Sequence, residues 1–408
     1  MAGRSDDLEI NERAAGIRPS ATLAVGAKAR ALRLQGKHVF DFSMGEPDFA
    51  PPAAVGRAVA EAVTTRPVHY APVAGLGELR ELVAAQLGAY HGRAFGVDQV
   101  MVSAGAKHSL ANLFMVTLRE GDEVVIPAPY WVSYPDMVRL GGGVPRIVST
   151  TIEDRWRLRP EVLEAALGPR TRFVLINSPS NPTGAGVDAG HLRALVEVVE
   201  ARAPQAWLIF DDIYRRLAYD GFVHASAFRA VGDRCERIVL VDGLSKSHAM
   251  TGYRIGFLVA PAPVTAAASR LQGQMTSGVA TPSQIAAVAA LSDPAGESAL
   301  AGMVDVFARR RALALAGLAG VANVGVVPPD GAFYLFVDVQ RLVGAGTGFA
   351  DDMALATWLL DKELVALVPG TPFGAPGHLR LSYATSDDDV RAGVARLAAA
   401  LASLPARG

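Results

Sequence analysis

The chain has 408 residues, half of them hydrophobic and 19% charged, with 39 Lys plus Arg against 40 Asp plus Glu. That balance excludes a disordered chain, which would be poor in apolar residues, and it leaves no basic block able to neutralise a nucleic-acid backbone. A single cysteine, Cys235, can form neither an internal disulfide nor a thiolate metal site, so a reducing, cytoplasmic setting is expected.

The length suggests two or three domains. The amino terminus, MAGRSDDLEINERAAG, is polar where an export signal needs an apolar run of about 7 to 15 residues. IRPSAT and GEPDFAPP then mark two Pro-containing breaks, and residues 1–50 read as an arm that joins a smaller domain. Between residues 99 and 259 short β-branched runs alternate with helix-length segments: QVMVSA, EVVIPA, VPRIV, RFVLIN, AWLIFDD, RIVLVDG and RIGFLVA. This rhythm predicts a large α/β domain over residues 51–293, with a mostly parallel seven-stranded sheet covered by helices on both faces.

Residues 294–408 change texture. A long Ala/Leu/Arg helix over about 297–318 precedes strand-like AFYLFVDV, helix-like DDMALATWLLDKE, strand-like LVALVP and HLRLSYA, and a closing helix, which together predict a smaller α+β domain. Residues 312–329 tempt a membrane reading, but their glycines and Pro-Pro ending fit a helix end and a loop better, so no membrane partner is expected. No internal repeat is visible, the eight histidines show no metal spacing, GAGTG at 344–348 lacks a βαβ context, and no GxSxG elbow occurs.

The strand ends are where ligands collect in open α/β sheets. SAGAKHSLANLF (103–114) runs through Gly105 into a helix and offers free N–H groups at Ala106 and Lys107, which suits a phosphate, although many βα turns look alike. NSPSNPTG (177–184) can aim the amide of Asn181 into the crevice, or be a surface turn. FDDIY (210–214) places Asp211 at a strand end with Tyr214 after it. This carboxylate either caps a helix or holds the ring nitrogen of a pyridine-type cofactor protonated.

GLSKSHAMTGYRIG (243–256) follows an apolar strand, so Lys246 either snorkels to water or points into the crevice, where its amine loses hydration and becomes nucleophilic. Arg254, just before a strand, and Arg380, inside the alternating HLRLSYAT strand, each need an anion. That anion is either a ligand or a structural ion-pair partner.

In this order IRPSATLAV, MGEPDF, HYAPVAG, PYWVSYPDMVRLGGG, NSPSNPTG, FDDIY, SKSHAMTGYRIG, GAFY, VPGTPFG and HLRLSYATS resemble, over nearly the whole chain, the pyridoxal-phosphate-dependent class I/II aminotransferases of fold type I, especially their bacterial aspartate/prephenate branch. The resemblance implies pyridoxal 5'-phosphate as cofactor and a homodimer. Lys246 would form the Schiff base and shuttle the substrate's α-proton. Asp211 would pair with the ring nitrogen, Asn181 and Tyr214 with the phenolate oxygen, and Trp131 would stack on the ring. Gly105, Ala106, Lys107 and Arg254 would surround the phosphate, with Tyr70 reaching across from a second subunit.

Arg380, Asn181 and the backbone of Gly45 would take the substrate α-carboxylate. The basic positions Arg18 and Lys107 would take a side-chain carboxylate, which favours aspartate or glutamate, with prephenate as the other candidate. The chain departs from the pattern at Gly243, where many relatives carry a phosphate-binding Ser; whether Ser245 takes over is open. His248 is either a titratable group near the cofactor or a packed histidine. The alternatives are a lyase, decarboxylase or cyclase on the same fold, and a transcription regulator, which would need a basic DNA-binding segment ahead of residue 17.

Overall fold

The computed structural model describes residues 10–17, 19–65, 67–232 and 236–407; Arg18 and Cys235 lie outside them. Seven strands form one sheet in the order Val100–Ser103, Gly256–Val259, Ile238–Gly243, Trp207–Asp211, Thr171–Asn177, Glu123–Ala128 and Val144–Ser149. All pairings are parallel except those of Gly256–Val259, which runs antiparallel to both neighbours. Each of the seven expected apolar runs supplies one strand. Alternate residues feed the two faces, so Ile209 and Val241 pack on one apolar cluster while Phe210 and Leu240 pack on another.

Val144–Ser149 is the sheet's last strand; the helices Tyr134–Leu140 and Pro160–Ala166 lie against it, and at its open edge Val144 and Ile147 are exposed. Pro145 and Arg146 on that strand suit an open edge, which they protect from pairing with another chain.

A second, antiparallel sheet takes Val368–Pro369, His378–Ser382, Tyr334–Asp338 and Gly325–Val326 in that order. Against it lie the helices Ala295–Leu318 and Asp387–Ala402, which share an apolar cluster with Phe333, Leu335, Leu379 and Leu381. Local sequence explains these helices' limits: Ser386 caps Asp387–Ala402 through the Asp389 N–H at 3.1 Å, and three aspartates occupy its first turn, where the helix dipole favours them. Asp351 caps Asp352–Lys362 in the same way.

The chain's beginning is tied to its end, since Phe40–Asp41 pairs in parallel with Val365–Ala366. His378–Ser382 is buried at all five positions, so the alternation expected around Arg380 is absent, because both sides of this short strand are covered. No helix among the described residues is long and apolar enough to cross a membrane.

Candidate active site

Three neighbouring parallel strands, Thr171–Asn177, Trp207–Asp211 and Ile238–Gly243, open their carboxyl ends on one edge of the sheet. In register Asn177 faces Asp211, and its Nδ2 donates to the Asp211 carbonyl at 2.8 Å. Its Oδ1 accepts from the Asn181 N–H at 2.9 Å. The strand end thus shapes the turn that follows it, and the buried Asn181 side chain enters the crevice.

Asp211 is the last residue of its strand rather than a helix cap, and it is 3% exposed. Oδ2 accepts from the Tyr134 hydroxyl at 2.7 Å, and Oδ1 from the Ile213 N–H at 3.4 Å. Burial pushes this carboxyl up to about 7; the Tyr134 hydroxyl and the Ile213 N–H oppose the rise, and Asp212 and Asp242 add to it. No salt bridge reaches Asp211 among the described residues. A buried carboxylate so placed is costly unless a cationic group meets it.

Lys246 Nζ donates to the Gly45 carbonyl at 2.7 Å, which joins the strand-end turn to the MGEPDF loop. Burial draws this amine down to about 8; nearby Glu46 opposes the shift, while Arg254 and Arg380 add to it. Glu46 is itself held, its Oε2 accepting from the Thr251 hydroxyl at 2.7 Å. The loop is anchored from behind by Arg310, whose Nη1 and Nη2 donate to the two Asp48 carboxylate oxygens at 2.7 and 2.9 Å and whose Nε donates to Asp387 at 2.9 Å.

At the start of Ala106–Thr117 no side chain caps the helix, and Gly105 sits at φ +85°. A Cβ there would meet Arg254 Nη2 at 2.4 Å, so only glycine lets the guanidinium lie over this turn. Arg254 donates to the carbonyls of Thr251 at 2.9 Å and Ala104 at 3.4 Å, and it adopts φ +56°, a left-handed conformation rare for a bulky residue. Lys107 Nζ lies 4.9 Å from the centre of the Trp131 ring, and burial together with Arg254 lowers its pKa. These groups converge into one basic, donor-rich concavity.

Arg380 closes the opposite wall and is 2% exposed. Nη1 donates to Asn181 Oδ1 at 3.0 Å and Nη2 to the Ser43 carbonyl at 2.7 Å, while Nε finds no acceptor. The guanidinium lies 4.6 Å from the Tyr334 ring centre and 5.2 Å from that of Phe373. Tyr214 and Tyr334 share a hydroxyl hydrogen bond of 2.7 Å. A buried guanidinium with a free donor and aromatic walls can accept a carboxylate.

Some expected residues stand apart. Tyr70 is 93% exposed, and Arg18 lies outside the described residues. Ser245 is buried. Gly243 has no room for a side chain, since a Cβ would stand 2.7 Å from the Ile255 carbonyl oxygen. His248 is a packed histidine: it is buried, bonded to the Ser247 hydroxyl at 2.8 Å, and held down to about 4 by burial and then by Arg216. Sequence reasoning missed Tyr134, Glu46 and Tyr334. All three lie inside motifs read as markers, but only the fold brings the Tyr134 hydroxyl to Asp211, the Glu46 carboxylate near Lys246 and the Tyr334 ring against Arg380.

The geometry agrees with what the chain is similar to. The family model for aminotransferase class I and II matches residues 37–397. The aspartate/prephenate aminotransferase of Cereibacter sphaeroides is 40% identical, covering 99% of this chain and 100% of its own. The aspartate aminotransferase of Geobacillus stearothermophilus is 39% identical, with coverages of 96% and 98%. Among solved structures, the aspartate aminotransferase of Thermus thermophilus with maleate superposes with a TM-score of 0.90 at 38% identity, over 96% of this chain and 100% of that one. That of Rhizobium meliloti gives 0.91 at 37%, over 98% and 100%. With a match that spans both sheets and every strand-end residue described above, the chain belongs to the class I and II aminotransferases.

Proposed function

We propose that this aminotransferase moves an amino group between a dicarboxylic amino acid, aspartate or glutamate, and a 2-oxo acid by a ping-pong exchange, with pyridoxal 5'-phosphate as cofactor. The observation that carries this reading is the buried Asp211 carboxyl at a strand end, with a desolvated Lys246 amine and a buried Arg380 guanidinium opening on the same crevice.

The residues present fit such a cofactor. Asp211 needs a cationic partner, as a protonated ring nitrogen would provide, and Trp131 offers an aromatic face beside it. Gly105, Ala106, Lys107 and Arg254 form a concavity that a side chain at Gly105 would fill, and it suits a phosphate. Ser245 is a further candidate contact there, and Asn181 and Tyr214 would meet the phenolate oxygen. When bound, the cofactor supplies an electron sink that spreads the charge left on a deprotonated α-carbon.

The chain's own groups do the rest. Arg380, Asn181 and Gly45 hold the substrate α-carboxylate, and so turn the α-hydrogen toward Lys246. The Lys246 amine, with its proton affinity lowered by burial, would take that proton and pass it on as the proton shuttle. Holding base and carbon side by side supplies on the order of 7 to 11 kcal/mol of the barrier. Lys107, with Arg18 in the amino-terminal arm, would meet the side-chain carboxylate. The similarity to aspartate and aspartate/prephenate aminotransferases and the dicarboxylate maleate in the Thermus structure support that choice; prephenate is the second candidate.

The same reading assigns residues 1–50 to an arm, 51–293 to a large cofactor-binding domain and 294–408 to a smaller one. It also sets Tyr70 across a homodimer interface in a cytoplasmic enzyme; the near-complete exposure of Tyr70 supports that role. The test is to incubate the purified protein with a panel of amino acids, with and without 2-oxoglutarate, following products and the cofactor absorption. Turnover that requires the 2-oxo acid and vanishes in Lys246→Ala is expected. Ammonia or carbon dioxide released without an acceptor would overturn the transfer reading in favour of a lyase.

A further inference from the structure

Directly behind Asp211 lies a second ionisable array that the transfer reaction does not touch. Successive residues of an extended strand point to opposite faces. Asp211 therefore turns toward Tyr134, and Asp212 turns to the other side, where the helix Gly77–His91 ends. Asp212 is almost fully buried, and neither of its oxygens receives a hydrogen bond of good geometry. His224 Nε2 lies 3.2 Å from Oδ1, and His91 Nε2 lies 3.8 Å from Oδ2.

The other charged groups facing it are Arg215, whose Nε is bound to Asp242 at 2.8 Å, and Asp242 itself. The Arg215 cation is therefore already claimed. Tyr90 completes the array: its hydroxyl is 2.6 Å from His224 Nδ1 and 3.2 Å from the His224 carbonyl. With Tyr90 donating to Nδ1, the His224 proton sits on Nε2 and faces Asp212. That arrangement keeps a donor aimed at the carboxylate.

We propose that Asp212, kept ionised between His224 and His91, is a positioning residue for Asp211: its fixed buried charge strengthens the hold of Asp211 on the proton of the cofactor's ring nitrogen. This rests on the pyridoxal-phosphate reading above. The charges agree with it. Although burial opposes ionisation, His224, His91 and Arg215 together keep Asp212 below the usual carboxylate range, and Asp212 in turn helps to raise Asp211. Burial holds His91 down to about 4, so at neutral pH it contributes a dipole and not a charge. At an effective dielectric near 20, a buried charge within about 10 Å changes a neighbour's affinity for a proton at least several-fold.

The experiment loads the full-length enzyme with cofactor labelled with 15N at the ring nitrogen and follows that nitrogen's chemical shift against pH. In Asp212→Asn the pH at which the ring nitrogen loses its proton falls by about half a unit or more. Asp212→Glu keeps the charge and restores the unmodified profile. His224→Leu, which removes the nearest donor and lets Asp212 protonate, moves the profile the same way by less, and it decides the matter if Asp212→Asn does not fold. Coincident profiles in folded, loaded variants overturn the proposal. Failure of the unmodified chain to bind the cofactor at all overturns the cofactor reading instead.

Discussion

Tyr134 donates its hydroxyl to Oδ2 of Asp211 across 2.7 Å, with both side chains buried. Tyr134 also stands edge-on to Trp131, with ring centres 5.2 Å apart, so one aromatic pair orients both the carboxylate and the face beside it. The bond fixes one carboxylate oxygen and leaves the other to meet a ligand. Tyr134→Phe keeps the ring and loses the bond. Because a hydrogen bond to a charged group is worth about 1.5 to 3 kcal/mol, kcat is expected to fall about tenfold or more with KM little changed. Steady-state kinetics check this; an unchanged kcat would show that Asp211 is held well enough without Tyr134.

In its proposed role Lys246 reacts as the neutral amine, and with its pKa drawn down to about 8 the amine is a minority below that pH and dominant above it. The rate at which the cofactor-free enzyme attaches added cofactor, read by absorption, is therefore expected to rise about tenfold per pH unit on the acid side and level off above about 8. Glu46 opposes the downward shift, so Glu46→Gln moves the plateau to lower pH. A profile still rising beyond pH 10 would mean that Lys246 keeps its ordinary affinity for protons.

The sheet was legible because its strands are mostly apolar runs separated by helix-length segments, a pattern that physical chemistry ties to parallel sheets. Asp211, Lys246 and Asn181 were legible because each lies at the end of such a run or in the turn that follows it. Tyr134, Glu46 and Tyr334 were not. Each acts across a large sequence separation, and nothing local distinguishes a tyrosine that bonds a distant carboxylate from one that fills a core. The open edge at Val144–Ser149 was likewise invisible, since its order in the sheet depends on where the other six strands settle.

Gly243 marks a place where the chain has no room for a side chain. Its Cβ would lie 2.7 Å from the Ile255 carbonyl oxygen, 3.2 Å from the Gly256 Cα and 3.2 Å from Ile213. Gly243→Ser is therefore expected to lower stability by about 1 to 3 kcal/mol through overpacking and to weaken cofactor binding. Thermal unfolding and cofactor titration check it. A variant that melts at the same temperature and binds cofactor more tightly would show that the strand yields and the hydroxyl reaches the phosphate.

Arg380 holds Asn181 with Nη1 and the Ser43 carbonyl with Nη2, so its plane is set before any substrate arrives. Tyr334 and Phe373 flank that plane and keep water from it. Lysine at this position would carry the charge without the fork, and its ammonium could not satisfy two fixed acceptors and a carboxylate in one plane. Arg380→Lys is expected to raise KM for the amino acid about 100-fold, equivalent to about 2.7 kcal/mol, and to leave the cofactor absorption in place. The same loss should appear for amino donors with and without a side-chain carboxylate, since the α-carboxylate is common to both. A loss confined to dicarboxylic donors would instead assign Arg380 to the side chain, and would move the α-carboxylate to another part of the crevice.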